Sequence, residues 1–158
     1  MNKKIIVVDD QADMLRLIKP ILSRNGYDVK TDLTGGILEN LDTPLPDLII
    51  LDINLQVNDG AEICKKLKTE AKTSAIPVIL ISSVLDLSKI SKDCGAEAYL
   101  SKPFTATELI GKVQTIFQAA WPWIFFDILV TLISESIQAD AFFTHSMQYL
   151  WTFIQFRI

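Results

Sequence analysis

The sequence predicts an α/β fold built on a parallel β-sheet with helices on both faces. Over the first 118 residues, short apolar runs rich in Ile, Val and Leu alternate with longer segments in which apolar residues recur at helical spacing. Strict alternation of strands and helices is typical of a parallel sheet with right-handed crossovers. Several of the runs end in acidic or hydroxyl residues, which places polar side chains at strand ends.

The first part of this pattern contains two strands and two helices. A strand over Lys4–Val8 precedes a helix over Gln11–Arg24, whose apolar residues form one stripe and which Asn25-Gly26 stops. A second strand is predicted over Tyr27–Thr31. Thr34–Leu41 is predicted as a short helix, although the adjacent glycines at positions 35 and 36 weaken it.

The second part alternates in the same way. Each strand is an apolar run, and each helix carries its apolar residues on one side. Gly95 directly follows the fourth helix and is a suitable C-terminal stop. The predicted strands are Asp47–Asp52, Pro77–Ser82 and Ala98–Leu100, and the predicted helices are Ala61–Lys68, Asp86–Cys94 and Thr105 to about Ala119.

The bulk composition excludes several classes of protein. Hydrophobic residues occupy 49% of the 158 positions, which is enough for a core and argues against disorder. A net charge of −4 gives no broad basic surface, so no direct nucleic-acid binding is expected. Cys64 and Cys94 are too few for a disulfide framework or a zinc site. The apolar start, residues 5–8, is too short for a signal peptide, so we expect a cytoplasmic protein.

Composition changes abruptly after residue 118. Residues 119–158 hold ten of the fourteen aromatic residues but only four of the thirty-four charged ones, so we expect a separate unit there. A helical hairpin is predicted, and neither of its apolar runs reaches the ~20 uninterrupted residues of a membrane span. Its role stays open between packing, homodimerisation, lying on a membrane, and the remnant of a truncated or out-of-frame end.

Charged and hydroxyl residues follow the predicted strands at the same end of the sheet. Asp9 and Asp10 follow the first strand, Asp52 and Ser82 close the third and fourth, and Lys102 comes after the fifth. Ligands of open parallel sheets bind beyond the carboxyl ends of the strands. Taken singly, an Asp pair is usually a helix cap or a solvated turn, and Lys-Pro is usually a loop. Their joint position at strand ends instead favours a functional site.

Three carboxylates beside one amine suit a divalent cation and a phosphoryl group. Close carboxylates repel one another unless a cation or a proton intervenes, and hard oxygen ligands with room for water suit Mg²⁺. A carboxylate can attack phosphorus and form an aspartyl phosphate. The metal ion and Lys102 would offset charge on the phosphoryl oxygens, and the Ser82 hydroxyl could reach one of them.

Four segments together resemble the receiver domain of two-component response regulators: Val-Val-Asp-Asp, Leu-Asp-Ile-Asn-Leu-Gln-Val-Asn-Asp-Gly, Ile-Ser-Ser and Ala-Tyr-Leu-Ser-Lys-Pro-Phe. The resemblance covers about residues 1–118. It implies a doubly wound, flavodoxin-like sheet with strand order 2-1-3-4-5. Gln56 departs from the family pattern, in which proline is common at this position, so we expect a looser loop with no loss of chemistry.

The resemblance also implies a role for each matching residue. Asp52 is similar to the phosphoacceptor and also contacts the metal, Asp10 is similar to a direct Mg²⁺ ligand, and Asp9 to a ligand that acts through water. The other implied roles are a metal contact by the backbone carbonyl of Asn54, a switch hydroxyl on Ser82, a phosphate-binding amine on Lys102, a switch aromatic at Tyr99 and a cis proline at Pro103.

The implied function is a phosphorylation-dependent signalling switch and not an enzyme. A histidine kinase, a phosphotransfer protein or a small phosphodonor would phosphorylate Asp52 with Mg²⁺. The face formed by the fourth helix, fifth strand and fifth helix would then change its binding of a downstream protein target.

Other functions remain open from the sequence. A phosphatase with an aspartyl nucleophile would need a second acid, which Asn54 cannot supply. An assembly module driven by residues 119–158, or a fragment of a larger response regulator without its output domain, are the remaining alternatives.

Overall fold

The computed structural model describes residues 2–39, 41 and 43–119 of the chain. The predicted helical hairpin of residues 119–158 lies outside the described residues, except for Ala119 at the end of the last helix. The strands are β1 (Lys4–Val8), β2 (Asp28–Asp32), β3 (Leu48–Asp52), β4 (Val78–Ser82) and β5 (Ala98–Ser101). The α-helices are α1 (Ala12–Arg24), α2 (Gly60–Thr69), α3 (Leu87–Cys94) and α4 (Ala106–Ala119).

The five strands form one parallel sheet in the order β2-β1-β3-β4-β5. The predicted fold class is therefore confirmed. The chain moves outward from β1 to β2 and then returns to place β3 on the other side of β1, so the winding direction reverses between β1 and β3. A crevice at the carboxyl ends of two such strands is where doubly wound sheets bind their ligands.

The central strands are buried on both faces because successive side chains point to opposite sides of the sheet. In β1, for example, Ile5 and Val7 pack into one core and Ile6 and Val8 into the other. Helices α1 and α4 close the first core with the buried residues Leu15, Ile18, Leu22, Leu109 and Val113. Helices α2 and α3 close the second core with the buried residues Cys64, Leu67, Leu87 and Cys94.

The helix predicted over Thr34–Leu41 is wrong. The described part of this segment contains only a single 3₁₀ turn, Gly36–Leu38. The Asp32 carboxylate accepts hydrogen bonds from the backbone amides of Thr34 at 3.1 Å and Gly35 at 2.6 Å, which fixes a turn instead of a helix. Gly35 takes the left-handed φ of +85° within that turn. The helices predicted as third, fourth and fifth are consequently α2, α3 and α4.

The other predicted elements begin and end within one residue of the observed bounds. Among residues 2–39, 41 and 43–119, no helix combines the length and the hydrophobicity needed to cross a membrane. Both cysteines are buried free thiols between α2 and α3, and Cys64 Sγ donates to the Cys94 carbonyl at 3.6 Å. Burial, reinforced by the neighbouring Cys94, raises the pKa of the Cys64 thiol, so this side chain acts as part of the core.

Candidate functional site

Three aspartates converge at the carboxyl edge of the sheet. Asp9 and Asp10 come directly after β1, and Asp52 is the last residue of the neighbouring strand β3. One oxygen atom from each carboxylate lies within 4.8 Å of the other two. Asp9 is fully buried and Asp52 is only 2% exposed. We call this cluster of Asp9, Asp10 and Asp52 the acidic pocket.

Lys102 enters the acidic pocket from the end of β5. Its Nζ donates hydrogen bonds to Asp9 Oδ2 at 2.8 Å and to Asp52 Oδ2 at 2.9 Å, and its side chain is 12% exposed. Burial, helped by the charge of Asp9, raises the pKa of Asp52 even though Lys102 opposes this shift. Burial alone would lower the pKa of Lys102, but its bonds to both aspartates outweigh burial and raise it. Lys102 therefore stays cationic in the pocket.

One buried oxygen of the acidic pocket has no hydrogen-bond partner. Asp9 Oδ1 accepts the Gln11 amide at 2.9 Å, and its Oδ2 accepts Lys102. Asp10 Oδ1, in contrast, is buried and makes no hydrogen bond. In the described part of the chain, it is the only buried side-chain oxygen or nitrogen atom without a hydrogen-bond partner. An orphaned carboxylate oxygen in a set of oxygen ligands fits a hard cation such as Mg²⁺. The residues present therefore suit this metal ion.

The acidic pocket opens onto a shallow surface cleft. The cleft has a volume of about 400 Å³ and is lined by Asp10 and residues 53–59 of the loop after β3. This volume leaves room for water beside the Asp10 carboxylate.

Ser82 and Asn54 lie next to one another beside Asp52. Ser82 ends β4 and is fully buried, and Asn54 follows Asp52 by two residues. The Asn54 backbone amide donates to Asp52 Oδ1 at 3.4 Å, and its side-chain Nδ2 donates to Ser82 Oγ at 3.2 Å. The sequence predicted a role only for the Asn54 backbone carbonyl. The side-chain bond joins residues 28 positions apart, so no local signal could reveal it.

Gly60 lies against the backbone of Asp52 and Ile53. Its amide donates to the Ile53 carbonyl at 2.9 Å. A Cβ at Gly60 would lie 2.0 Å from the Asp52 carbonyl oxygen, closer than any real Cβ contact, so only glycine fits here. An Asp-Gly pair such as Asp59-Gly60 by itself indicates only a turn. Asp59 caps α2 by accepting the Ala61 amide at 2.8 Å, and the helix therefore begins at this glycine.

Two further predicted residues flank the acidic pocket on the β5 side. The Lys102–Pro103 peptide bond is cis. Tyr99 lies on β5, where it pairs with Leu80, and its side chain is 37% exposed at the surface. The Lys112 Nζ of α4 lies 5.6 Å from the centre of the Tyr99 ring, a cation–π geometry. Tyr99 is thus not part of the acidic pocket in this structure.

Known proteins are similar to this chain in sequence and in fold. The sequence model of the response regulator receiver domain family matches residues 5–114. The chain is 38% identical over 120 residues to the alkaline phosphatase synthesis transcriptional regulatory protein PhoP of Bacillus subtilis, covering 75% of this chain and 50% of PhoP. It is 33% identical over 136 residues to the phosphate regulon transcriptional regulatory protein PhoB of Rhizobium meliloti, covering 84% of this chain and 58% of PhoB. The chain therefore spans about half the length of these relatives.

Solved structures agree with this comparison. The BeF₃-activated receiver domain of DrrB, a protein of Thermotoga maritima, superimposes with a TM-score of 0.66 and 31% identity. The match covers 75% of this chain and 99% of that receiver domain.

Proposed function

The chain belongs to the family of response regulator receiver domains, and we propose that it works as a phosphorylation-dependent switch with Asp52 as the phosphoacceptor. The resemblance seen in the four sequence segments is correct at the level of the family. Receiver domains are signalling domains of two-component systems and not classical enzymes. The role of each residue in this chain is part of the proposal.

The observation that carries the proposal is the cluster of three carboxylates, two of them buried, in which Asp9 and Asp52 both bond to the Lys102 ammonium group. An Asp52 oxygen attacks the phosphorus of a phosphohistidine or of a small phosphodonor; the new P–O bond forms as the bond to the leaving group breaks. The Lys102 ammonium, 2.9 Å from Asp52 Oδ2, offsets the negative charge on the phosphoryl oxygens. Three negative charges against one positive charge leave the acidic pocket in need of a further cation.

Mg²⁺ is the cation that we propose for this site. Asp10 and Asp52 would hold it directly, Asp9 would hold it through water, and the backbone carbonyl of Asn54 would complete the protein ligands. When bound, Mg²⁺ supplies positive charge to the phosphoryl oxygens. The unpartnered Asp10 Oδ1 supports this assignment.

Phosphorylation would then change a distant surface. The phosphoryl group draws the Ser82 hydroxyl toward Asp52, and Tyr99 moves from the surface into the space that Ser82 leaves. This alters the face formed by α3, β5 and α4. A preference of about 5.5 kcal/mol is enough to move such a two-state equilibrium from 1:99 to 99:1.

The partners follow from this cycle. A sensor histidine kinase or a phosphotransfer protein donates the phosphoryl group, and a downstream protein binds the altered α3–β5–α4 face. The named relatives are transcriptional regulators, and the match with this chain covers only about half of each of them. We assign this chain no direct nucleic-acid contact, because the proposed output is a change in protein binding.

Phosphorylation of the 158-residue chain tests the proposal. The protein is incubated with acetyl phosphate and Mg²⁺, and phosphoryl incorporation is measured by intact-protein mass spectrometry. We expect incorporation in the wild type, none in Asp52→Asn, and little when the metal is chelated. Asp59→Asn is the matched control, because asparagine also caps helices well and residue 59 lies outside the acidic pocket. Undiminished incorporation in Asp52→Asn would overturn the proposal.

A further inference from the structure

The side-chain amide of Asn54 makes a hydrogen bond that has no part in the roles assigned above. Its Nδ2 donates to Ser82 Oγ at 3.2 Å, while the backbone amide of the same residue donates to Asp52 Oδ1 at 3.4 Å. Asn54 therefore connects the phosphoacceptor carboxylate to the hydroxyl on the neighbouring strand. Its side chain is exposed, whereas Ser82 is fully buried.

The contacts of Ser82 Oγ determine what its hydroxyl can still do. A serine hydroxyl has two acceptor lone pairs and one proton to donate. Asn54 Nδ2 approaches one lone pair, and the Val84 amide makes a longer contact with the other at 3.4 Å. Within residues 2–39, 41 and 43–119, the Ser82 proton has no acceptor of its own. The hydroxyl is thus engaged as an acceptor and remains available as a donor.

An available donor suits an anionic phosphoryl oxygen, which can only accept. The geometry points to Asn54 as a positioning residue that holds the Ser82 hydroxyl ready to donate its proton to a phosphoryl oxygen on Asp52. Because the Ser82 proton is not engaged with another acceptor, the hydroxyl gives up no donated hydrogen bond when it turns toward the phosphoryl oxygen. This inference rests on the proposed function of Asp52, and it gives the Asn54 side chain a role separate from that of its backbone carbonyl.

The separation of the two roles makes them distinguishable. The metal contact proposed for Asn54 uses the backbone carbonyl, so the Mg²⁺ affinity of each variant is measured on its own and beryllofluoride binding is compared at saturating Mg²⁺. The contact with Ser82 uses the side-chain amide and is lost in Asn54→Leu, which has a similar size but no donor. The loss of affinity for a phosphoryl mimic in Asn54→Leu should therefore be no larger than the loss in Ser82→Ala.

Binding of beryllofluoride to the 158-residue chain tests the inference. Calorimetry measures the affinity for beryllofluoride at saturating Mg²⁺ and, separately, the affinity for Mg²⁺ alone. The proteins are the wild type, Asn54→Leu, Ser82→Ala and the double variant. We expect about three- to tenfold weaker beryllofluoride binding in Asn54→Leu and about tenfold weaker binding in Ser82→Ala, which are the costs of weakening or losing one hydrogen bond. The double variant should bind as weakly as Ser82→Ala, because Asn54 acts through that hydroxyl.

Each other outcome overturns a defined claim. Wild-type beryllofluoride affinity in Asn54→Leu, or losses that multiply in the double variant, would each overturn the positioning role alone. Failure of the wild type to bind beryllofluoride, with Mg²⁺ binding intact, would overturn the proposed function and this inference with it.

Discussion

Gly60 shows how a single missing Cβ positions the phosphoacceptor. The Cβ of an alanine at this site would lie 2.0 Å from the Asp52 carbonyl oxygen and 2.8 Å from Ile53 Cα, and both neighbours are backbone atoms. Gly60→Ala must therefore displace the end of β3. We expect the free energy of unfolding to fall by about 1–3 kcal/mol, as in other overpacked sites, and phosphoryl incorporation to fall with it. Urea unfolding and the acetyl phosphate assay measure the two effects.

Gly111 provides the matched control for this substitution. It lies inside α4, and no atom lies within 4 Å of the position that its Cβ would take. Gly111→Ala should raise the free energy of unfolding by about 0.5–1 kcal/mol, because alanine is the better helix former. Equal effects of the two substitutions would contradict the assigned role of Gly60.

Asp10 should affect stability in opposite directions with and without metal. Without Mg²⁺ its carboxylate adds negative charge to the acidic pocket, so Asp10→Asn should raise the midpoint of thermal unfolding. With Mg²⁺ at ten times its dissociation constant, the wild type should gain about 1.4 kcal/mol, and most of this gain should be absent in the variant. Thermal unfolding in EDTA and in MgCl₂ measures both effects.

Asp13 offers the control for charge alone. Its side chain is 94% exposed in the first turn of α1 and pairs only with Arg16 in the described chain. Asp13→Asn should keep the full response to Mg²⁺. A full response in Asp10→Asn as well would show that Asp10 does not hold the metal ion.

The residues of the acidic pocket could be predicted because a parallel sheet brings the ends of its strands to one edge. Asp9, Asp52 and Lys102 each needed only a correctly predicted strand before them. The roles of the Asn54 side chain and of Gly60 were not predicted. Their contacts with Ser82 and with the Asp52 backbone depend on how the chain folds back after β3. A dipeptide such as Asp-Gly indicates a turn. It does not indicate that another segment of the backbone packs against the glycine.

At the scale of elements, the start of α4 depends on a capping box. The Thr105 amide and hydroxyl donate to Glu108 Oε2 at 2.7 and 2.8 Å, and the Glu108 amide donates back to Thr105 Oγ1 at 3.2 Å. Thr105→Ala removes the side-chain part of this box and should lower the free energy of unfolding by about 1 kcal/mol at pH 7. Urea unfolding measures the loss.

The cost of Thr105→Ala should depend on pH. The backbone and side-chain hydrogen bonds from Thr105 hold the pKa of Glu108 below its ordinary value of 4.5. The ionised Glu108 therefore contributes stability above that pH, and this contribution is lost as the pH falls through the pKa of the folded state. The difference in unfolding free energy between wild type and variant should shrink below pH 4.5. Thr107→Ala, an exposed change in the same turn, should show no such dependence; a constant difference for Thr105→Ala would refute the capping box.

The elements themselves were predictable where a long apolar pattern repeats, and less so where side chains compete with the backbone. Helix α1 is predicted by its stripe of apolar residues, and its observed bounds differ by one residue. The segment after β2 has apolar residues too. However, the Asp32 carboxylate accepts hydrogen bonds from the backbone amides of Thr34 and Gly35, and this turn replaces the start of a helix. The Thr-x-x-Glu spacing before α4 is a local signal of the capping box that could have been recognised from the sequence alone.

At the scale of the whole molecule, the fold and the proposed site belong to one domain. Within the described part of the chain, the buried residues of both cores and every site residue lie between residues 5 and 113. The cores cover the two faces of one sheet, so a residue such as Val8 contributes to the second core and directly precedes Asp9 in the acidic pocket. The stability of the fold and the geometry of the site therefore depend on the same strands.

A chain shortened to residues 1–119 should accordingly keep its fold and its chemistry. We expect it to unfold cooperatively in urea and to bind beryllofluoride with Mg²⁺ as tightly as the 158-residue chain does. Loss of either property would show that residues 120–158 complete the core or the site.

Light scattering on both proteins tests whether the aromatic-rich segment drives dimerisation. A dimer that becomes a monomer on truncation would assign the interface to residues 120–158, whereas two monomers would exclude tail-driven dimerisation and leave the α3–β5–α4 face as the surface through which phosphorylation is read.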